Sequence, residues 1–411
     1  MKRSNHQTLT AADFLYTNDR RFFALLGEGM EEWGASELQE LGAEEIQGGY
    51  RGFHFRAEPR TLYQILYGTR LFSRVLAPLT RFDCHSARYL HRRAYAVEWE
   101  TLFGLDQTFA VQAITSNSAI RHSRYAALTL KDAVADRFRD RTNARPNVDA
   151  RHPDISLHLY IHNNQATLSL DLAGGSLHRR GYRAESVEAP MQETLAAAIL
   201  RATGWRGERR LIDPFCGSGT LLCEAWMAAC NIPAGYLRES YGVQRLPDFD
   251  ATLWQDVKAG MDGRIRLLES GVVAGSDIDS HAVQAARTNL GLLPGGDRVD
   301  VQRADVTDLR QPGEALIVTN PPHGLRLGSR TESAALLKHF GDVLKQHCTG
   351  AEAFVYCSDK ALVKTLGLKP SAQYPLRSGG QDGRLCRYEL FAGPADQRAT
   401  SSTSNSPGIA D

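Results

Sequence analysis

Two short segments, about a hundred residues apart, carry the residue types that could do chemistry: Leu211-Ile-Asp-Pro-Phe-Cys-Gly-Ser-Gly-Thr220 and Thr319-Asn-Pro-Pro-His-Gly324. In the first, Gly217 and Gly219 lack Cβ atoms, so the backbone can turn sharply and approach a ligand closely. The helix expected from Thr220 to about Cys230 would present free N–H groups and a positive dipole end at the same place. Asp213, at a strand tip, could accept a hydrogen bond from a cationic amine. A dinucleotide loop would read G-x-G-x-x-G, and a phosphate loop would carry Gly-Lys-Ser/Thr; this segment does neither. An acid beside glycines suits a zwitterionic amino-acid ligand better than a pyrophosphate, and S-adenosylmethionine carries such a group.

Two further acids fit that ligand. Val272-Val-Ala-Gly-Ser-Asp-Ile-Asp279 reads as an apolar strand ending in Asp277, where a ribose diol could be held. Asp305, in Ala304-Asp305-Val306 after the next strand, could accept the exocyclic amine of an adenine. Either acid could instead be a helix cap; three at successive strand ends form a pattern. In the second segment two prolines fix φ and donate no N–H. The Asn320 side-chain oxygen and the Pro321 carbonyl could then accept from an exocyclic amine, turning its lone pair toward a methyl donor, while His323 stacks on a planar base. The chemistry these residues suggest is methyl transfer to an amine.

Such segments need strands to end on and helices to follow them. From about Gly181 the pattern supplies both. A helix is expected over Pro190–Thr203. Strands follow at 210–213, 271–277, 299–301, 315–319 and 352–357, alternating with helices, which argues for a parallel, doubly wound α/β sheet. Gln373–Leu376 and Leu385–Phe391 read as an antiparallel hairpin on its edge, and Asn231–Ser270 as an inserted helical excursion. Upstream, Arg21–Leu26, Gly29–Leu41, Gly52–Arg56 and Pro59–Leu71 read strand, helix, strand, helix. A second α+β unit follows, with strand Thr108–Ala113, helix Ser123–Phe138, and strands Ile155–Ile161 and Ala166–Leu172 joined by Asn163-Asn164, a hairpin signal.

The bulk numbers bound the rest. A chain of 411 residues predicts two or three domains. With 42% hydrophobic and 23% charged residues it has a globular composition. A net charge of +1 means that any basic surface is local. Seven scattered cysteines without C-x-x-C pairs give no zinc pattern and suit free thiols in a reducing compartment. The polar N-terminus lacks a signal-peptide core, and no run approaches the ~20 apolar residues of a membrane helix. The expected location is cytoplasmic.

D-P-F-C-G-S-G-T together with N-P-P-H-G resembles the class I S-adenosylmethionine-dependent methyltransferases that modify exocyclic amines. The upstream region resembles a THUMP RNA-binding domain preceded by a ferredoxin-like domain, on Ala119-Ile-Arg-His-Ser-Arg-Tyr125, Leu130-Lys-Asp-Ala-Val134, Arg145-Pro-Asn-Val-Asp149, Leu177-His-Arg-Arg-Gly-Tyr-Arg183 and Ala189-Pro-Met-Gln-Glu-Thr-Leu-Ala-Ala197. The chain is most similar to the N-terminal, guanine-N2 half of the bifunctional bacterial 23S rRNA methyltransferases. This resemblance implies a Rossmann-like, doubly wound methyltransferase domain over 179–392, a ferredoxin-like domain over 21–85 and a THUMP domain over 86–178; the polar 1–20 reads as flexible and the Ser/Thr/Pro/Gly-rich 393–411 as disordered. It implies methyl transfer from S-adenosylmethionine to guanine N2 in RNA. Asp213, Cys216, Gly217, Gly219 and Thr220 would surround the methionine part, Asp277 with Ile278 the ribose, and Asp305 with Val306 the adenine. Asn320, Pro321, Pro322 and His323 would hold the guanine. The family usually has Tyr at the His323 position, followed by Gly-Glu-Arg where this chain has Gly324-Leu325-Arg326.

RNA contacts are expected from Arg121, Lys131, Arg180, Tyr182 and Arg183, within a basic stretch that also holds Arg124, Arg137, Arg139, Arg141, Arg145 and Arg151. Tyr125 and Tyr182 could stack on unpaired bases. The interleaved Asp132, Asp136 and Asp140 equally allow a solvated helix face. The alternatives are a tRNA guanine-N2 methyltransferase, an adenine-N6 DNA methyltransferase, and a non-catalytic RNA-binding ribosome-assembly factor. No metal or obligate protein partner is expected.

Overall fold

The structure is a computed structural model describing residues 8–187, 190–322, 330–377 and 380–391. Of the expected flexible 1–20, residues 1–7 lie outside the described residues, as does the expected disordered 393–411, while Ala11–Asp13 forms a 3-10 turn and Leu15–Asp19 a short helix. The chain divides into two compact units: one holds the sequence up to Gly181 together with Asn231–Ile265, the other Tyr182–Cys230 and the sequence from Arg266 onward.

The first unit begins with helix α1 (Leu15–Asp19), then runs β1 (Arg21–Leu26), α2 (Glu31–Glu40), β2 (Glu44–Gly49), β3 (Gly52–Arg56), α3 (Pro59–Gly68), β4 (Phe72–Asp83), α4 (Ala87–Tyr95), β5 (Phe109–Ser116), α5 (Ser123–Thr142), β6 (Ile155–His162) and β7 (Gln165–Asp171). The two upstream α+β regions share one seven-stranded sheet, ordered β2-β3-β1-β4-β7-β6-β5. The joint is β4, which pairs with β1 through Phe72–Leu76 and with β7 through Leu76–Asp83. The sequence did not announce this strand, because Pro78 sits inside it. The register shifts between Pro78 and Thr80, and a bulge is where a missing N–H is tolerated. On β1 the even residues Phe22, Ala24 and Leu26 are buried and the odd ones half-buried. Asn163 (φ +49°) and Asn164 (φ +57°) turn β6 into β7 as a two-residue left-handed turn.

The second unit opens with α6 (Glu193–Thr203), β8 (Leu211–Asp213) and α7 (Thr220–Ala229). The chain then returns to the first unit for the excursion carrying α8 (Ala251–Asp262). There Trp254 meets Tyr63 edge-on at 5.3 Å, and the Tyr67 hydroxyl donates to Asp262 at 2.8 Å. The excursion is thus packed by α3, and the residues of the methyltransferase-like region are not contiguous as one compact body.

The second unit resumes with β9 (Val273–Asp277), α9 (Ser280–Leu290), β10 (Asp300–Arg303), β11 (Leu316–Thr319), α10 (Arg330–His347), β12 (Glu352–Cys357), β13 (Ala372–Pro375) and β14 (Arg384–Glu389). Its sheet is ordered β10-β9-β8-β11-β12-β14-β13. The first five strands are parallel, and β14 and β13 add an antiparallel edge. All four residues of β11 are buried, as a central parallel strand requires. Ile317, Leu337, Phe340, Leu344 and Val355 form one core cluster. Strand order reverses between β8 and β11, and in such sheets the crevice beyond the carboxyl ends at that point takes the ligand. All seven cysteines are buried and free. No described helix is long and apolar enough to cross a membrane.

Candidate active site

The β8 tip, the glycine turn and the β9 tip are sewn together by backbone donors. The Cys216 N–H reaches the Ser276 carbonyl at 2.9 Å. The Gly217 N–H donates to Asp277 Oδ2 at 3.0 Å, and the Asp279 N–H donates to Oδ1 at 3.0 Å. Gly217 lies at φ +53° and Gly219 at φ +81°. A Cβ on Gly219 would stand 3.0 Å from the Ala286 Cβ and 3.1 Å from its Cα. Gly219 therefore lets α7 begin against α9; it lines neither cavity described below.

Asp213 is 1% exposed. Its Oδ1 accepts from the Thr319 hydroxyl at 2.6 Å and from the Phe215 N–H at 3.1 Å. Burial pushes its carboxyl up to about 7, against the pull of those two hydrogen bonds, with the Asp277 charge adding to the rise. No described cation pairs with it. Asp305 caps a short 3-10 turn: its Oδ1 accepts from the Thr307 N–H at 2.8 Å, which holds the carboxyl below its ordinary range. The capping reading is met, and Asp305 still borders a cavity. Burial raises the Cys216 thiol well above the usual range, so it is a neutral wall.

Two adjoining spaces open at these strand ends. The larger, about 310 Å³, is lined by Asp277, Ile278, Asp305, Val306, Asn320 and Pro322, among others. The smaller, about 30 Å³, is lined by Asp213, Cys216, Gly217, Thr220 and Asn320, among others. Phe215, Val187, Gly217 and Asn320 border both. The donor set suits S-adenosylmethionine. The larger space has two strand-end acids and the 62%-exposed Ile278 at its wall, and the smaller ends on a buried carboxylate that has no counter-cation among the described residues. Pro321 is buried and lines neither space. His323 lies outside the described residues.

Three supports were not read from the sequence. Thr319 ties β11 to Asp213. Asn289 on α9, 1% exposed, accepts the Ala184 and Glu185 N–H groups at 2.9 and 3.0 Å and donates to the Ser218 and Glu185 carbonyls at 2.9 and 2.8 Å. It staples the entry segment to the glycine turn. A lone Asn within Ala286-Arg-Thr-Asn-Leu290 gives no sequence signal for this. Arg183 is the third: it reaches Glu193 at 2.8 Å, the Met191 carbonyl at 3.0 Å and the Thr220 hydroxyl at 3.2 Å.

The family described as RMKL-like methyltransferase domain matches residues 180–387. A THUMP domain matches 85–171 and an RlmL ferredoxin-like domain 21–76. The chain is 38% identical, over 377 residues, to a Synechocystis protein named "Putative RNA methyltransferase", covering 90% of this chain and 97% of that one. It belongs to the RMKL-like methyltransferases. It is also 39% identical over 389 residues to the ribosomal RNA large subunit methyltransferase K/L of Syntrophotalea carbinolica, 92% of this chain and 54% of that protein. The chain thus spans about half the length of the K/L relatives it matches. In backbone it resembles "SMU.472, a putative methyltransferase complexed with SAH", with a TM-score of 0.78, 24% identity and coverage of 91% and 99%. TrmN from Thermus thermophilus shares the fold at a TM-score of 0.61 and 20% identity, with coverage of 90% and 99%.

The methyltransferase's expected RNA-contacting residues separate by burial. Arg180 is 2% exposed, and its Nη1 donates to the Leu177 carbonyl at 2.7 Å while Nη2 reaches that of Arg70. Tyr182 is 1% exposed and its hydroxyl donates to Glu224 at 3.1 Å. Neither can meet RNA: both are used up inside their own units. Arg183 is occupied with Glu193 and Thr220. Arg137 is likewise buried, forked onto Glu100 at 2.6 and 3.1 Å. Lys131 pairs with Asp132 at 2.8 Å. Arg121, Arg124 and Arg145 are exposed, and Tyr125 is 56% exposed.

Proposed function

We propose that this methyltransferase transfers a methyl group from S-adenosylmethionine to the exocyclic N2 of a guanine in RNA, with 23S ribosomal RNA as substrate. The observation that carries the reading is Asn320, which borders both the larger and the smaller space. An acceptor amine bound there would sit between the two parts of the donor's site. When bound, S-adenosylmethionine supplies an electrophilic methyl on a good leaving group. Asp213 would hold the donor's ammonium, Asp277 its diol, and Asp305 its adenine amine. The Asn320 side-chain oxygen, which borders both spaces, would accept from an amine hydrogen and help orient the nitrogen lone pair. This is positioning catalysis, needing no strong base, because the amine's proton can leave after transfer. A guanine paired inside a duplex cannot reach such a crevice, so the target is flipped out or already unpaired.

The 97% coverage of the Synechocystis relative supports an RNA substrate, and the names of the K/L relatives support a ribosomal one. The test is incubation with methyl-labelled donor and unmodified 23S RNA, followed by nucleoside mass spectrometry. Labelled N2-methylguanosine is expected. Label in total tRNA but not in 23S RNA would replace the substrate. Label on adenine N6, or none in any RNA, would overturn the reading.

A further inference from the structure

We infer that Asn289 is a positioning residue for the methyl donor: its buried amide holds the exposed segment Ala184–Val187 against the glycine turn, so that Val187 walls the junction of the two donor spaces. The inference rests on the reading above only for the donor's seat, not for the base that is methylated. Every residue it uses belongs to the second unit.

The segment has little of its own to fix it. It belongs to no helix or strand, and Ala184, Glu185 and Ser186 are exposed. Among the described residues, its one main-chain to main-chain hydrogen bond runs from the Ala184 N–H to the Tyr182 carbonyl at 2.9 Å. Asn289 supplies the rest. Its Oδ1 accepts the Ala184 and Glu185 N–H groups, and its Nδ2 donates to the Glu185 carbonyl at 2.8 Å. The other Nδ2 hydrogen goes to the Ser218 carbonyl at 2.9 Å, inside the glycine turn. An Asn amide offers two acceptor sites and two donors, and all are taken. Ala184 and Glu185 face water, which would satisfy the same groups. The bonds therefore decide where the segment lies, not whether its polar groups are paired.

What they place is Val187. It lies two residues beyond Glu185, within about 7 Å of extended chain from that anchor. Val187 borders both spaces, as do Phe215, Gly217 and Asn320, and its Cγ2 is 3.8 Å from where a Cβ on Gly217 would stand. In the reading above, the donor's sulfonium meets the acceptor at this junction. An apolar wall there keeps water from the reacting centre, which strengthens every polar contact inside.

The same face of α9 serves the rest of the crevice. Ala282, Ala286 and Asn289 fall at i, i+4 and i+7 and are all buried. Ala282 lines the larger space. Ala286 meets Gly219, its Cβ 3.0 Å from where a glycine Cβ would stand. Two small side chains let α9 come close, and the amide at the third position turns that closeness into an anchor. The peptide between Ser218 and Gly219 is thereby held at both ends, because the Gly219 N–H donates to the Cys216 carbonyl at 2.8 Å. One side chain thus fixes both the turn beneath the donor and the wall beside it.

The experiment measures the affinity of the full chain for S-adenosylmethionine by calorimetry, without RNA. Asn289→Ala should raise the Kd about tenfold. Val187→Ala should raise it about fourfold. Because Asn289 acts through Val187, the double variant should bind as Asn289→Ala does, whereas independent effects would multiply to roughly fortyfold. Arg180→Ala, expected to destabilise the first unit, should bind the donor as wild type does, which separates positioning from a general loss of stability. Hydrogen exchange of the wild-type chain needs no variant: saturating donor should slow exchange in the Ala184–Val187 peptide. A wild-type Kd in Asn289→Ala, multiplying losses in the double variant, an equal loss in Arg180→Ala, or exchange unchanged by donor overturns the inference. Any of these in a chain that binds the donor leaves the reading of the crevice standing. A wild-type chain that binds no donor overturns both.

Discussion

The Thr319 hydroxyl donates to Asp213 Oδ1 at 2.6 Å, joining the last residue of β11 to the last residue of β8. One end of this bond stands in the glycine-turn segment and the other immediately precedes Asn320. The bond therefore couples the proposed donor seat to the proposed acceptor corner, and both of its ends are buried. Thr319→Val keeps the shape and removes the donor. A buried hydrogen bond to a charged group is worth about 1.5–3 kcal/mol. Methyl transfer should fall about tenfold or more, at little cost in bulk. With one fewer hydrogen bond holding its charge, the Asp213 carboxyl should titrate still higher. A pH profile of donor affinity displaced upward in the variant checks this; an unmoved profile would mean that the bond does not tune Asp213.

Asp213 itself predicts a pH dependence of known sign. Its folded value is raised to about 7 by burial, whereas an unfolded Asp titrates near ~3.9. Between those values the folded chain holds more protons than the unfolded one, so stability falls as pH rises through that window and then levels off. The slope is at most about 1.4 kcal/mol per pH unit. A cationic ligand beside the carboxylate reverses the preference, so donor binding near pH 7 should release protons and tighten toward pH 8. Calorimetry in two buffers of different ionisation enthalpy reads the release directly. Asp213→Asn offers its amide oxygen to the same two donors. It should melt no lower than wild type at pH 8, lose the stability slope, and bind the donor at least tenfold more weakly.

Two left-handed glycines at α-helix ends, Gly204 and Gly219, separate backbone strain from crowding. Gly204, at the C-terminus of α6, has φ +70° and nothing within 4 Å of where a Cβ would stand. Gly219 has φ +81° and the Ala286 backbone at 3.1 Å. Gly204→Ala should cost roughly 1–2 kcal/mol, from conformation alone. Gly219→Ala should cost about 1–3 kcal/mol more, because α9 must give way, and should weaken donor binding through the displaced turn. Denaturant melts of both variants check the difference.

Much of the second unit was legible because central parallel strands are short apolar runs ending in chemistry. Leu211–Asp213, Val273–Asp277 and Leu316–Thr319 each carry such a run into a site residue. Asn163-Asn164 was legible because few residue types accept φ > 0 twice in succession. What escaped was long-range. Strand β4 hides behind Pro78, and its two partners lie far apart in sequence. The support given by Asn289 depends on donors and acceptors near Ala184 and Ser218, more than seventy residues upstream. Arg180 and Tyr182 read as surface groups because Arg and Tyr usually keep a polar end in water. Only their folded partners, main-chain carbonyls and Glu224, place them inside.

That distinction gives a final prediction, since Arg180 and Arg121 look interchangeable in the sequence and differ in the fold. Arg180 is buried with its guanidinium on the carbonyls of Leu177 and Arg70. Truncating it leaves those acceptors without a donor and opens a cavity. Arg180→Ala should lower stability by about 2–4 kcal/mol, and the folded fraction should show the wild-type salt dependence of RNA binding. Arg121 is exposed at the rim of a depression that Ser116 and Asn164 also line. Arg121→Ala should leave the melting temperature within a degree or so, since surface changes away from packed features cost within ~0.5 kcal/mol. It should also lower the slope of log affinity against log salt by about one. Thermal melts beside salt titrations of RNA binding test both arms, and an unchanged salt slope in Arg121→Ala would remove that residue from the RNA-contacting set.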